Sequence, residues 1–211
     1  MRTKYFIYVK ERESIFMFRG NKPVLILPGI LMLIMFVGGY QFLNGSDPIT
    51  NEELQNVMST DVDVAETVEG LQIKASWDWT VMPVEGLYGE DYIGIYVVDP
   101  ATEAVRTDIE IEDAHLELHY SDTVIENDEG VIVDNGVIFA FSNKLVEHES
   151  FGNLGQVSAK IKGDHLSVSD IRIHLLHTWT EHAPLEKVDA TFQDPNFTGA
   201  ANVPHWIRTF E

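Results

Sequence analysis

One short segment, His115-Leu116-Glu117-Leu118-His119, places three side chains of the kinds that hold zinc or copper at alternate positions. On a strand, His115, Glu117 and His119 project from one face, opposite Leu116 and Leu118, with successive side chains ~7 Å apart. A His-x-His pair in such a setting grips one ion through two imidazoles. Here Glu117 takes the middle, so the histidines stand ~13 Å apart along the strand and cannot share an ion. One ion could use His115 with Glu117, or Glu117 with His119, plus a ligand from a neighbouring strand. His174, which shares the outward parity of Arg172, completes such a site with Glu117 and His119 if its strand lies alongside. The spacing thus predicts a divalent cation as a partner. The plainer expectation is a solvated polar face carrying two imidazoles. His177 falls on the inward parity with Ile173 and Leu175 and is expected to be a core histidine satisfied by a backbone group.

Nucleophilic and hydrolytic chemistry finds no support. The chain has no Cys, no Gly-x-Ser-x-Gly, no His-Glu-x-x-His and no Ser-x-x-Lys. His148-Glu149 starts like a zinc-protease motif but continues Ser150-Phe151-Gly152, with no second histidine in place. With 34 Asp and Glu in 211 residues, a carboxylate pair carries no information about acid–base catalysis. Glu126-Asn127-Asp128-Glu129-Gly130 lacks the alternating ligands of a calcium loop and is expected to be a solvated hairpin turn. No glycine-rich phosphate cradle is present, so no enzyme and no cofactor are expected. Trp77-Asp78-Trp79 puts both rings on one face, as core anchors before a ligand platform.

The elements that must position these residues are strands. Leu71, Ile73, Ala75, Trp77, Trp79 and Val81 alternate with polar residues, the pattern of a half-buried strand. Tyr92–Val98 is apolar on both faces and predicts a central strand. Ala114, Leu116, Leu118 and Tyr120 form the inward face of another. Asn135-Gly136 between Val131–Val133 and Val137–Phe141 predicts a tight hairpin. Val157, Ala159 and Ile161 alternate up to Gly163-Asp164, read as a second turn that sets Ile161 against Leu166 and Ala159 against Val168. Past Ser169-Asp170 the parity flips to Ile171, Ile173 and Leu175, which implies a bulge or a tight break. Thr50 with Glu53 makes a capping box for a short helix reaching about Ser59, with Ile49 and Leu54 placed as its hydrophobic staple. About seven short strands and little helix predict a mainly β chain, an antiparallel β-sandwich of immunoglobulin-like proportions.

The sandwich is preceded by an uncharged run of 21 residues, Pro23 to Leu43, long enough to be one transmembrane helix. The head, residues 1–22, carries six Lys/Arg and two Glu; its aromatic residues Tyr5, Phe6, Tyr8, Phe16 and Phe18 interleave with Lys4, Lys10, Arg12 and Arg19. Rings and cations of this kind suit the cytoplasmic membrane interface. The run is longer than the apolar core of a cleaved signal, and the point after Gly39 matches Ala-x-Ala poorly, so a retained signal anchor is expected. The positive-inside rule puts the N-terminus in the cytoplasm and the body outside the cell membrane.

Residues 44–211 hold eight Lys/Arg and 32 Asp/Glu, a formal charge of −24. Such a body repels nucleic acid and anionic headgroups and favours cations or a basic protein surface. The acids are spread along the body, which suits a hydrated surface more than a single site. The organisation expected is a basic head at 1–22, an anchor at 23–43, a linker with a short helix at 44–60, a sandwich at 61–183 and an irregular tail at 184–211. Phe192, Phe197, Trp206 and Phe210 are expected to lay that tail over the sandwich. The function predicted is a single-pass, membrane-anchored extracytoplasmic binding module for another protein; the alternative is a copper- or zinc-binding or delivery domain using His115, Glu117, His119 and His174.

Overall fold

The computed structural model describes residues 22–44, 48–79, 81–146 and 149–210. The basic head, the middle of the 44–48 hinge and His148 lie outside the described residues. The chain forms two units, residues 1–47 and 48–211. In the first, Lys22–Asn44 is one helix, α1, on which Leu27, Met32, Leu33, Met35 and Phe36 are all exposed. The expected span 23–43 falls on this helix. Among the described residues no helix is long and apolar enough to cross a membrane.

The second unit is mainly β, built from two antiparallel sheets. Its strands are β1 (Ser59–Thr67), β2 (Gly70–Asp78), β3 (Tyr88–Val97), β4 (Glu110–Tyr120), β5 (Thr123–Glu129), β6 (Val131–Val133), β7 (Gly136–Val146), β8 (Glu149–Phe151), β9 (Leu154–Lys162), β10 (Ile171–Thr178) and β11 (His205–Thr209). One sheet has the order β1-β2-β9-β4-β5. The other runs β11-β10-β3-β7-β6, with β8 paired to β7. Alternation drives both inner faces together. Ile73, Ala75 and Trp77 of β2, Leu116 and Leu118 of β4, and Val157, Ala159 and Ile161 of β9 meet Ile93, Ile95 and Val97 of β3 and Ile173 and Leu175 of β10. The Asn135-Gly136 hairpin forms, with Val133 paired to Gly136. Gly155 is required where it stands, because a Cβ there would fall 2.5 Å from the Trp77 ring.

Three expectations are corrected. The helix after the hinge, α2, keeps its capping box but spans only Asn51–Leu54, because the chain turns into β1 at Ser59. Leu166 and Val168 do not return alongside β9. Ile161 pairs with Leu71 and Ile111, and Ala159 with Ile73. Residues 163–167 form a loop, and Val168–Asp170 is one 3-10 turn. The parity flip at Asp170 is therefore the crossover from one sheet to the other. Glu126–Glu129 is no turn either; it lies within the edge strand β5.

β3 is buried on both faces, and the two faces have different partners. Tyr92, Tyr96 and Val98 point away from the sandwich core into a second cluster with Ile138, Leu176, Leu185, Ala190, Phe192 and Phe197. Residues 184–204 are thus a cover over the outer face of this sheet. Gly94 permits the close approach: a Cβ there would sit 2.0 Å from the Ala190 carbonyl oxygen. Asp189 fastens the crossing. It accepts from Asn135 Nδ2 at 2.7 Å, from Thr191 N–H at 2.9 Å and from the Thr191 hydroxyl. Burial opposes ionisation of Asp189, yet these donors hold its carboxyl below the usual range. The final segment is not irregular as expected, since 205–209 is the edge strand β11, which sends Trp206 and Phe210 into the sandwich core.

Candidate functional site

The His115, Glu117 and His119 side chains stand on the outward face of β4, flanked by β9 and β5. Glu117 Oε2 lies 3.6 Å from His119 Nε2 and accepts a hydrogen bond from Gln156 of β9. His115 lies opposite Glu129 of β5 and Ser158 of β9. His174 does not join them. It lies on β10 in the other sheet, under the 184–204 cover, with Nδ1 2.9 Å from the Thr191 carbonyl oxygen and Nε2 3.2 Å from the Tyr96 hydroxyl. A site shared by His174 with Glu117 and His119 is therefore ruled out by topology: the adjacency it needed is occupied by β5 and β9. Among the described residues, no group of three or more His, Cys, Asp or Glu could hold a metal ion.

A different cluster has the most developed polar geometry. β3, β7 and β10 send Asp91, Asn143 and His177 inward at the same end of their sheet, where an apolar core would otherwise continue. All three are completely buried. His177 is inward, as parity predicts, but side chains satisfy it rather than a backbone group. Its Nδ1 lies 2.9 Å from Asp91 Oδ2, and its Nε2 lies 3.2 Å from Asn51 Oδ1. Asp91 Oδ1 accepts from Thr178 N–H at 2.9 Å and from Asn143 Nδ2 at 3.1 Å, and Asn143 Nδ2 also reaches the Thr178 carbonyl at 2.9 Å. Nδ1 also lies 3.1 Å from Asn143 Nδ2, so the ring is held on both sides by side chains. Trp79, Trp179 and Trp206 surround the imidazole, with ring centroids 5.7, 5.8 and 4.7 Å away.

Asn51, the first residue of α2, locks this cluster from above. Its side-chain nitrogen donates to Glu85 Oε2 and to the Gly86 carbonyl, both at 3.1 Å, and its own carbonyl accepts from Trp206 Nε1 at 2.8 Å. Arg208 Nη1 donates to the Gln55 and Met58 carbonyls, closing the turn after α2. An Asp–His pair of this geometry orients the base in hydrolases. Here Nε2 faces Asn51, no Ser or Thr hydroxyl among the described residues reaches it, and the ring is completely buried. The cluster is a buried clamp. The sequence signal for it was weak: Asp91 follows Glu90 and Asn143 stands between Ser142 and Lys144, so both read as the polar ends of apolar strands.

Beside the clamp lies an open cleft of about 500 Å³ lined by Tyr88, Gly89, Glu90, Lys144, Glu181 and His182. The Thr178 hydroxyl joins cleft and clamp. It donates to the Glu90 carbonyl at 2.9 Å and meets His182 Nε2 at 2.7 Å. Glu90 accepts from the Tyr92 hydroxyl, which in turn accepts from Leu185 N–H at 2.9 Å. Burial and the Glu90 carboxylate push the Tyr92 phenol up, so it stays a donor. Burial, then Asp128 and Glu90, also raise Glu126, against the pull of Lys144. The wall of the cleft is therefore fixed from behind, while Tyr88 and Lys144 stay exposed at its mouth. The chain is thus mainly β, two antiparallel sheets with one clamped end and an open cleft beside it. No protein-family model, curated protein or solved structure matches the chain.

Proposed function

We propose that this chain is a single-pass membrane protein whose extracytoplasmic β-sandwich works by binding another protein, with the cleft beside Tyr88 as the contact. Support for the anchor comes from the uncharged run 23–43, the helix that covers it and the excess of Lys/Arg in the head. The observation that carries the binding reading is Tyr88, 66% exposed in the lining of the cleft, paired across the strands with Lys144 and sharing the lining with Glu90 and Glu181. An exposed aromatic beside charges of both signs, on a hydrogen-bonded backing, is the make-up of an interaction hot spot. A neighbouring membrane protein suits a domain tethered this close to its anchor. The body's charge of −24 leaves nucleic acid out of consideration and favours a basic surface.

The test is site-specific photo-crosslinking on the full chain in its native membrane, with the probe at position 88 or 144. The expected result is one discrete adduct, absent when the probe stands at Glu112 on the outward face of the other sheet. No adduct, or the same pattern from all three positions, refutes the reading.

A further inference from the structure

An open sheet has edges whose outward N–H and C=O groups invite another strand, and proteins blunt them with Lys, Pro, bulges or brevity. Three edge elements of this sandwich are blunted. β6 and β8 have three residues each, β11 has five, and the pairing of β5 slips between Leu118 and His119. β1 is different. Its nine residues pair with β2 from Ser59–Asp78 to Thr67–Gly70 without a shift, and they include no Pro, Gly, Lys or Arg. Among the described residues, the backbone groups of β1 that face away from β2 meet no partner.

The side chains of β1 divide cleanly between its faces. Val62 and Val64 pack against the sandwich core, while Asp61 and Asp63 point outward and are exposed. Asp61 stands opposite Ser76 and Asp63 opposite Lys74. The other lysines of this outer face are engaged elsewhere, Lys160 with Glu69 and Lys162 with Glu112. Two shallow depressions lie beside the edge, of about 160 and 210 Å³, and both are lined by Asp61 and Ser76. Short side chains on β2 thus leave room next to the two carboxylates.

We propose that the free edge of β1 takes up an extended segment of a partner protein as an added strand, with Lys or Arg at alternate positions and apolar residues between them. Backbone pairing supplies the affinity of such a contact, and alternate side chains supply its specificity. The outward Lys or Arg lie across Asp61 and Asp63 into the depressions, and the inward apolar residues extend the layer of Val62 and Val64. Charge selects this occupant. A second copy brings another body of charge −24, and antiparallel pairing about Val62 would set Asp61 against Asp63 twice. The edge belongs to the sheet that does not carry Tyr88, so the inference stands apart from the cleft.

The test is amide hydrogen exchange on the full chain in non-ionic detergent, read by mass spectrometry over residues 59–67 and 205–209. The probe is a blocked peptide that alternates lysine with valine over the length of β1. Its control has proline in place of valine, which keeps the charge and removes the strand. The valine peptide should slow exchange over 59–67 by about tenfold or more, with 205–209 unchanged and the proline peptide changing neither segment. Asp61→Asn together with Asp63→Asn should raise the peptide concentration for half-protection about threefold or more. Both residues are exposed, so these changes leave the fold intact. No slowing over 59–67, or equal slowing by the two peptides, overturns the inference. Protection that appears without peptide and grows with chain concentration gives the edge to a second copy and overturns it as well.

Discussion

Replacing Asp91 by Ala tests whether the buried clamp is the feature that holds the sandwich end together. The change removes the acceptor for three donors at once: Thr178 N–H, Asn143 Nδ2 and His177 Nδ1. None of them gains access to water, because His177, Asn143 and Thr178 have no exposure. Leaving a single buried donor without its acceptor costs ~1–3 kcal/mol. The three share one site, so their costs overlap, and about 4 kcal/mol is expected, close to a thousandfold in the unfolding equilibrium. The assay is urea unfolding of the full chain in detergent, followed by tryptophan fluorescence, since three of the four tryptophans lie against the His177 ring. With a slope near ~2 kcal/mol per molar urea, the midpoint falls by about 2 M at unchanged slope. Glu117→Ala, on the outward face of β4, moves it by less than about 0.5 kcal/mol. Combining Asp91→Ala with His177→Phe closes the cycle: with the imidazole gone, the second loss is smaller than the first by ~2 kcal/mol. An Asp91→Ala cost under ~1 kcal/mol, or strict additivity with His177→Phe, refutes the clamp.

Two further predictions concern the 184–204 cover. Gly94→Ala drives a Cβ to 2.0 Å from the Ala190 carbonyl, so the cover must lift while the inner core keeps its contacts; limited proteolysis within 184–204 should accelerate tenfold or more (on the order of a 1.4 kcal/mol opening), with the far-ultraviolet spectrum unchanged. Acid should release the same segment. Asp189 is held below its ordinary value, so the stability it contributes is fully present above ~3.9 and is lost as pH falls from there through the lowered value. Amide exchange at Thr191 and Ala190, measured through that window, should rise as pH falls, beyond the intrinsic trend of unprotected amides. Asp189→Asn should show this exposure already at pH 7, and an unchanged acid response in that variant defeats the assignment.

The sequence carried the sandwich wherever one face of a strand is wet. β2, β4, β9 and the Asn135-Gly136 hairpin follow from period-two alternation and one turn dipeptide. β1 escaped notice because Ser59–Thr67 is an edge strand of small and acidic residues with only Val62 and Val64 turned inward. β5 escaped for the same reason; its acids read as a turn. The Gly163-Asp164 hairpin was self-consistent in register and still wrong. Parity within one strand cannot say which sheet the next strand joins, and here the chain crosses between sheets at Asp170. That crossing also separates His174 from His119, which no local spacing could disclose. The clamp was hidden for a third reason: its members come from α2, β3, β7 and β10, far apart in sequence, and Asn51, Asp91 and Asn143 each stand among other polar residues that are not part of it.

A buried polar clamp is a costly way to fill the end of a sandwich, since an apolar plug of equal volume would be as stable or more so. Its advantage is direction. Apolar residues at positions 51, 91, 143 and 177 would tolerate sliding of α2 over the sheet, whereas Asn51 closes its hydrogen bonds to His177, Glu85, Gly86 and Trp206 in one position only. Residues 49–51, the 83–86 loop and the back wall of the Tyr88 cleft are therefore tied to one end of the sandwich. Asn51→Ala separates this from simple stability. It frees α2 while leaving the Asp91–His177 pair intact, so adduct formation at position 88 should fall further than the urea midpoint does. Parallel losses would mean that the clamp only stabilises the fold and sets no position for the cleft.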